Sequence, residues 1–117
     1  MAITLEEKQL AQITPSSTSA TELYTPTEHQ KVIITNLTIS NTTAASETFC
    51  LFHDNDGTTY DERTALAWRV PVAPATLYSI SKPGWCLSAG SAGSFAVESS
   101  RGDALTYTLY GLIIRDE

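Results

Sequence analysis

The stretch Lys31–Asp54, KVIITNLTISNTTAASETFCLFHD, limits what this chain can fold into more than any other. Two runs rich in β-branched and aromatic residues, Lys31–Ser40 and Glu47–His53, flank a small polar linker, NTTAAS. Runs of this length and composition, bounded by turn formers, read as strands. Together they read as the central hairpin of an all-β domain. In the first run Ile33, Leu37 and Ile39 share a parity and are expected to face the core, with Val32 and Ile34 on the other parity. Either the start of this strand is covered on both sides, or a bulge near Thr35-Asn36 switches its faces. In the second run Phe49 and Leu51 share one face, and Cys50 and Phe52 the other. A two-layer sandwich accounts for one apolar face of each strand. The surplus face is expected to meet a partner subunit, with Val32, Ile34 and Phe52 as contact residues.

The rest of the chain extends the same pattern. Short strand candidates occur at Glu22–Tyr24, Leu66–Val70, Thr76–Ser81, Trp85–Leu87 and around Phe95 and Val97. A last strand over Ala104–Arg115 places Leu105, Tyr107 and Leu109 on one face and Thr106, Thr108 and Tyr110 on the other. Turn formers separate them: Asp56-Gly57, Lys82-Pro83-Gly84, the Gly/Ser/Ala run Ser88–Ser94, and Ser99–Asp103. Pro71 and Pro74 suit an edge. About eight strands at this spacing predict an antiparallel β-sandwich, jelly-roll or immunoglobulin-like. The strands near Lys31 and Ala104 are the expected central ones. Residues 1–20 read as a short N-terminal arm and 21–117 as the sandwich. Within the arm, Thr4-Leu5-Glu6-Glu7 matches a capping box. A turn or two of helix through Leu10 and an extended segment that orders against a neighbour are both open. Leu5, Leu10 and Ile13 are the arm's expected partner contacts.

Charge narrows the functional classes. Thirteen acidic residues against 7 basic give a net charge of -6 over 117 residues. Phosphate backbones repel such a surface, so nucleic acid is not an expected partner. No apolar run is long enough to span a bilayer as a helix. The start, MAITLEEKQLAQ, has acids where a secretory signal has a basic region, which leads us to expect synthesis in a cytoplasm and no membrane partner. Cys50 and Cys86 lack CxxC spacing and are expected to be two thiols rather than a disulfide or metal site.

No stretch carries a catalytic signature. Asp54-Asn55-Asp56-Gly57 with Asp61-Glu62 resembles the start of a calcium loop but lacks its later ligands, so a turn is preferred. His29 and His53 have no motif partner. Arg101-Gly102-Asp103 spells an adhesion tripeptide, yet Gly-Asp is what a turn between strands needs. Trp68, Trp85, Tyr24, Tyr60, Tyr78 and Tyr107 suit a sugar platform less well than core and interface positions. No catalytic residue, metal or cofactor is expected.

Several of these segments together resemble a family of small β-sandwich virion proteins of tailed bacteriophages. They are Leu23-Tyr24-Thr25-Pro26, Lys31-Val32-Ile33-Ile34, Leu37–Thr42, Phe49–Asp54, Gly84-Trp85-Cys86-Leu87-Ser88-Ala89-Gly90 and the strand Leu105–Ile114. The resemblance spans about residues 9–115 and rests on turns and strand ends. It implies a structural role in the particle, foremost as a capsid decoration (cement) protein. The implied partners are the major capsid protein and further copies of the chain, a trimer being preferred. A tail, neck or fibre-associated domain and a carbohydrate- or receptor-binding module are the alternatives.

Overall fold

A computed structural model describes residues 3–26, 30–53, 60–81, 85–88 and 95–116. They form nine strands: β1 (Ile3–Ile13), β2 (Thr21–Tyr24), β3 (Gln30–Asn41), β4 (Glu47–His53), β5 (Ala65–Val72), β6 (Thr76–Ser81), β7 (Cys86–Ser88), β8 (Phe95–Ser99) and β9 (Leu105–Asp116). One sheet runs β1-β9-β3-β6, with β7 also on β3; the other runs β2-β8-β4-β5. Every pair is antiparallel. The pairs nest: β1 with β9, β2 with β8, β3 with β6 and β7, β4 with β5. A chain doubled back on itself and wound up in this way is a jelly roll, one of the two expected sandwiches. As expected, β3 and β9 lie side by side at the centre of their sheet, and the Pro71 strand β5 is an edge.

Two expectations change, and the open choice at the N-terminus is decided. β3 and β4 are not a hairpin, because β9 occupies one side of β3 while β6 and β7 occupy the other. No hydrogen-bonding edge is left for β4, so the NTTAAS linker crosses between sheets. Asn41 holds that crossing. Its side-chain Nδ2 donates to the carbonyls of Ala45, Val72 and Ala73 at 2.9, 3.0 and 3.2 Å, and its Oδ1 accepts from the Thr43 amide at 3.0 Å. The capping-box helix does not form; Thr4–Glu7 is extended, and β1 from Ile3 to Ile13 pairs with β9 along its length. A solitary helical turn satisfies few of its own backbone groups, whereas a strand here gains a full ladder. Ile33 is half-buried on the outer face rather than in the core.

That last change follows from a bulge. In β9 the core positions Leu105, Tyr107, Leu109, Gly111 and Ile113 keep one parity. In β3 the fully buried residues are Val32 and Ile34, then Leu37 and Ile39, which differ in parity. The register shifts between Ile34 and Asn36, so the second sequence alternative holds and both halves of β3 face inward. β1 shifts register between Gln9 and Ala11, at the same level. Both bulges flank Gly111. A Cβ there would lie 2.8 Å from the Ile33 carbonyl oxygen and 2.6 Å from Leu10 Cδ1.

The surplus face of β4 is covered by the chain itself. Cys50, Phe52 and Ala96 form a second small cluster outside the β2-β8-β4-β5 sheet, with Ala20, Tyr60 and Ala65 packed on it. Covering Phe52 this way is worth about 2 kcal/mol. Inside the sandwich, the Tyr107 hydroxyl lies 2.7 Å from Ser99 Oγ, joining the two sheets. Burial pushes its phenol up to about 12, with the Ser99 hydrogen bond opposing the shift.

Two predictions follow from this packing. Gly111→Ala forces apart the strands on either side of β9 and lowers unfolding stability by about 1–3 kcal/mol in denaturant titration. The raised phenol of Tyr107 means that folding favours its neutral form. That contribution is complete below pH 10, the group's usual value, and is lost as pH rises towards about 12. Wild-type stability therefore falls by roughly 2–3 kcal/mol more over this range than that of Tyr107→Phe.

Candidate interaction surface

Antiparallel register places opposed residues on one face, so the outer face of the β1-β9-β3-β6 sheet can be read row by row. At one end Leu5 opposes Ile114, which opposes Lys31; the next row is Glu7, Leu112, Ile33 and Cys86. Ile3 extends this end, opposite Asp116. Ile3 is 67% and Leu5 64% exposed, while Ile33, Leu112 and Ile114 are half-buried. The following rows are polar: Gln9, Tyr110, Asn36, Ser81, then Gln12, Thr108, Thr38, Ser79. Gln12 Nε2 donates to Thr108 Oγ1 at 3.0 Å. One face thus holds an apolar end and a hydroxyl- and amide-rich stretch, with Leu77, 58% exposed, in the row beyond it opposite Ser40.

Of the six expected partner contacts, only Leu5 presents a broad surface. Val32, Ile34 and Phe52 are fully buried within the chain and have nothing left to offer a neighbour. The bulges and the Tyr60 cover absorb the apolar surplus that suggested them. Leu10, at the β1 bulge, and Ile13, opposite Tyr107, are partly buried against the core. The sequence does not single out Ile3, because the capping-box pattern of Thr4–Glu7 competes with a strand there. Its spacing of two from Leu5 is the strand signal that would have found it.

The other sequence candidates fall apart in space. Residues 54–59, with the Asp-Gly turn, and His29 lie outside the described residues, as do Lys82-Pro83-Gly84 and 89–94. Asp61 closes its own turn: its Oδ1 accepts from the Arg63 amide at 2.8 Å and its Oδ2 pairs with the Arg63 guanidinium at 3.0 Å. Among the described residues no three His, Cys, Asp or Glu side chains group as metal ligands. In the adhesion-like tripeptide, Arg101 pairs with Glu47 at 3.6 Å, and the Asp103 amide donates to the Pro15 carbonyl at 2.8 Å. Asp103 has φ 57°, and Gly102 packs against the Ser16 carbonyl. The tripeptide is a pinned crossing between β8 and β9.

The named aromatics form no common platform. Tyr107 is core; Trp85 lies 5.5 Å from Phe95; Tyr78 meets Phe49 edge-on at 5.4 Å. Tyr60 and Trp68 flank Phe52 at 6.0 and 6.3 Å. Tyr24 donates to Gln30 Oε1 at 3.2 Å. Trp68 remains 38% exposed beneath the Arg69 guanidinium, 5.1 Å from its ring, and Arg69 has φ 52° at the β5 register shift. The cysteines are two thiols: Cys50 is buried and accepts from the Arg69 amide at 3.3 Å, while Cys86 is exposed on β7. Burial pushes the Cys50 thiol up.

Solved structures share this fold. One belongs to the Bacillus endospore appendages, which form disulfide-linked pili: 14% identity over 97% of this chain and 87% of that chain, TM-score 0.55. Another is the virus-like particle of the extra small virus of the giant freshwater prawn Macrobrachium rosenbergii: 10% identity over 100% of this chain and 82% of that chain, TM-score 0.58. At these identities the likeness is one of fold. No protein-family model and no curated protein matches the sequence.

Thiol chemistry checks the two-sided placement of the cysteines. Under native, mildly alkaline conditions one thiol per chain reacts rapidly with a maleimide or aromatic disulfide reagent. Peptide mapping locates it at Cys86, and Cys50 reacts only after denaturant is added.

Proposed function

We propose that this chain is a non-enzymatic structural protein of a virus particle, and within that class a capsid decoration (cement) protein of a tailed-phage head. The observation that carries the proposal is the apolar end of the outer sheet face, where Ile3 and Leu5 stand exposed beside Leu112, Ile114 and Ile33. Exposed apolar surface gathered at one end of a sheet is typical of an association site. The jelly roll shared with a virus-like-particle chain supports the particle role, and the tailed-phage assignment rests on the sequence resemblance. A net charge of -6 disfavours a nucleic-acid partner. Repetition on a symmetric shell makes a weak contact sufficient. The partners are the major capsid protein and further copies of the chain, with synthesis in the host cytoplasm.

Two measurements test this. Ile3→Asp with Leu5→Asp leaves the monomer folded, since both side chains are exposed. It weakens co-sedimentation with capsids at least about tenfold, as expected when two apolar anchors are lost from an interface. Unchanged co-sedimentation would remove the surface from the proposal. Copy number in purified particles, by quantitative mass spectrometry, separates head from tail. On the order of hundreds of copies fits a decorated shell, and about a dozen or fewer fits a tail or neck.

A further inference from the structure

We infer that the same outer face, where its apolar end gives way to its polar end, carries a binding site for a neutral saccharide, centred on Tyr110. This goes beyond the virion role and does not depend on it. Glu7, Thr35, Asn36, Ser81 and Tyr110 line an open groove of about 570 Å³. That volume falls within the range of small-molecule sites. The lining comes from β1, β3, β6 and β9, so it stands on four paired strands rather than on a loop. The β1 and β3 register shifts flank Tyr110 on its two sides. Bulges increase local twist and re-aim neighbouring side chains, which accounts for a dent at this level of an otherwise continuous sheet.

The chemistry of the lining selects the ligand. The Tyr110 ring, 38% exposed, offers an apolar face on which the C–H face of a pyranose can stack. Around it, the Glu7 carboxylate accepts hydrogen bonds, the Asn36 amide donates and accepts, and the Thr35 and Ser81 hydroxyls do both. A ring with one apolar face and a rim of hydroxyls satisfies all of these. A purely apolar ligand would strip water from Glu7 and Asn36 and return no hydrogen bonds. The described lining has one carboxylate and no basic group, so phosphates and acidic sugars are repelled. A second groove, at the other end of the β3-β6 pair, is lined by Ser40–Thr42 and Ala75–Leu77; it measures about 410 Å³ and has neither an aromatic ring nor a carboxylate. It lacks the pair of features that sugar recognition needs.

The test is an amide NMR titration of the whole isotope-labelled chain. The probes are glucose, galactose, mannose, N-acetylglucosamine and their common disaccharides, with glucuronic acid as the anionic counter-probe. The expected result is saturable shifts at Tyr110, Asn36 and Ser81 with at least one neutral probe, and at least about tenfold weaker binding of glucuronic acid. Tyr110→Ala weakens binding about tenfold, and Tyr110→Phe, which keeps the ring face, preserves it. No saturable shift with any neutral probe, shifts centred on other residues, or unchanged binding by folded Tyr110→Ala would overturn the inference. If Tyr110→Ala does not fold, Glu7→Ala decides: a few-fold loss supports the site, and unchanged affinity overturns it.

Discussion

The first sheet depends on reconciling strands whose side chains alternate out of step. β9 keeps its core residues on one parity from Leu105 to Ile113, while β3 carries two apolar segments of opposite parity. A regular ladder would bury one segment of β3 and turn the other towards solvent, forfeiting about 2 kcal/mol for each large side chain misplaced. A single inserted residue at Thr35 brings Val32, Ile34, Leu37 and Ile39 all inside. The insertion crowds the backbone, and the neighbouring position on β9 is Gly111, where the Ile33 carbonyl leaves no space for a Cβ. The second bulge, at Leu10, leans its side chain over the same glycine. One residue without a side chain thus lets three strands share a core.

That phase shift separates what the sequence made legible from what it hid. The alternation within Phe49–Phe52 and Leu105–Tyr110 is local, so strand identity and facing could be read directly, as could the possibility of a bulge at Thr35-Asn36. Pairing is not local. Nothing within NTTAAS distinguishes a hairpin loop from a crossing between sheets; that is decided by β9, β6 and β7, which claim both edges of β3 from elsewhere in the chain. Phe52 and Cys50 suggested a subunit contact because their cover, Tyr60 and Ala20, comes from segments that read as loop. Partner contacts inferred from surplus apolar residues are therefore only as good as the account of what the chain can cover for itself.

The real surplus lies in β1, where the competing capping-box pattern obscured it. Ile3 and Leu5 share an outward face, and β9 supplies Leu112 and Ile114 beside them. Further along the same face the side chains turn to amides and hydroxyls, with Tyr110 as the aromatic among them. Because the rows run across strands, each end draws on residues distant in sequence. Neither forms a contiguous motif, and no scan along the chain would bring Glu7 to Asn36 or Leu5 to Ile114.

Two modes of association are open to a sheet that ends in β1: adding a strand at its edge, or packing on its face. The charges discriminate between them. Glu6 pairs with Lys8 at 3.6 Å and with Arg115 at 3.9 Å, and Glu7 follows on the outer side of the same strand. An edge strand studded with charges resists extension, because a neighbour docking there must desolvate them and accept like charges opposite one another. Packing on the outer face instead gains the burial of Ile3 and Leu5, which project away from the backbone edge, against the desolvation of Lys31 and Glu7 in the same rows. The free edge and the exposed leucine lie on the same strand, yet physical chemistry favours the face, and it leaves the row around Tyr110 open to solvent beside the contact.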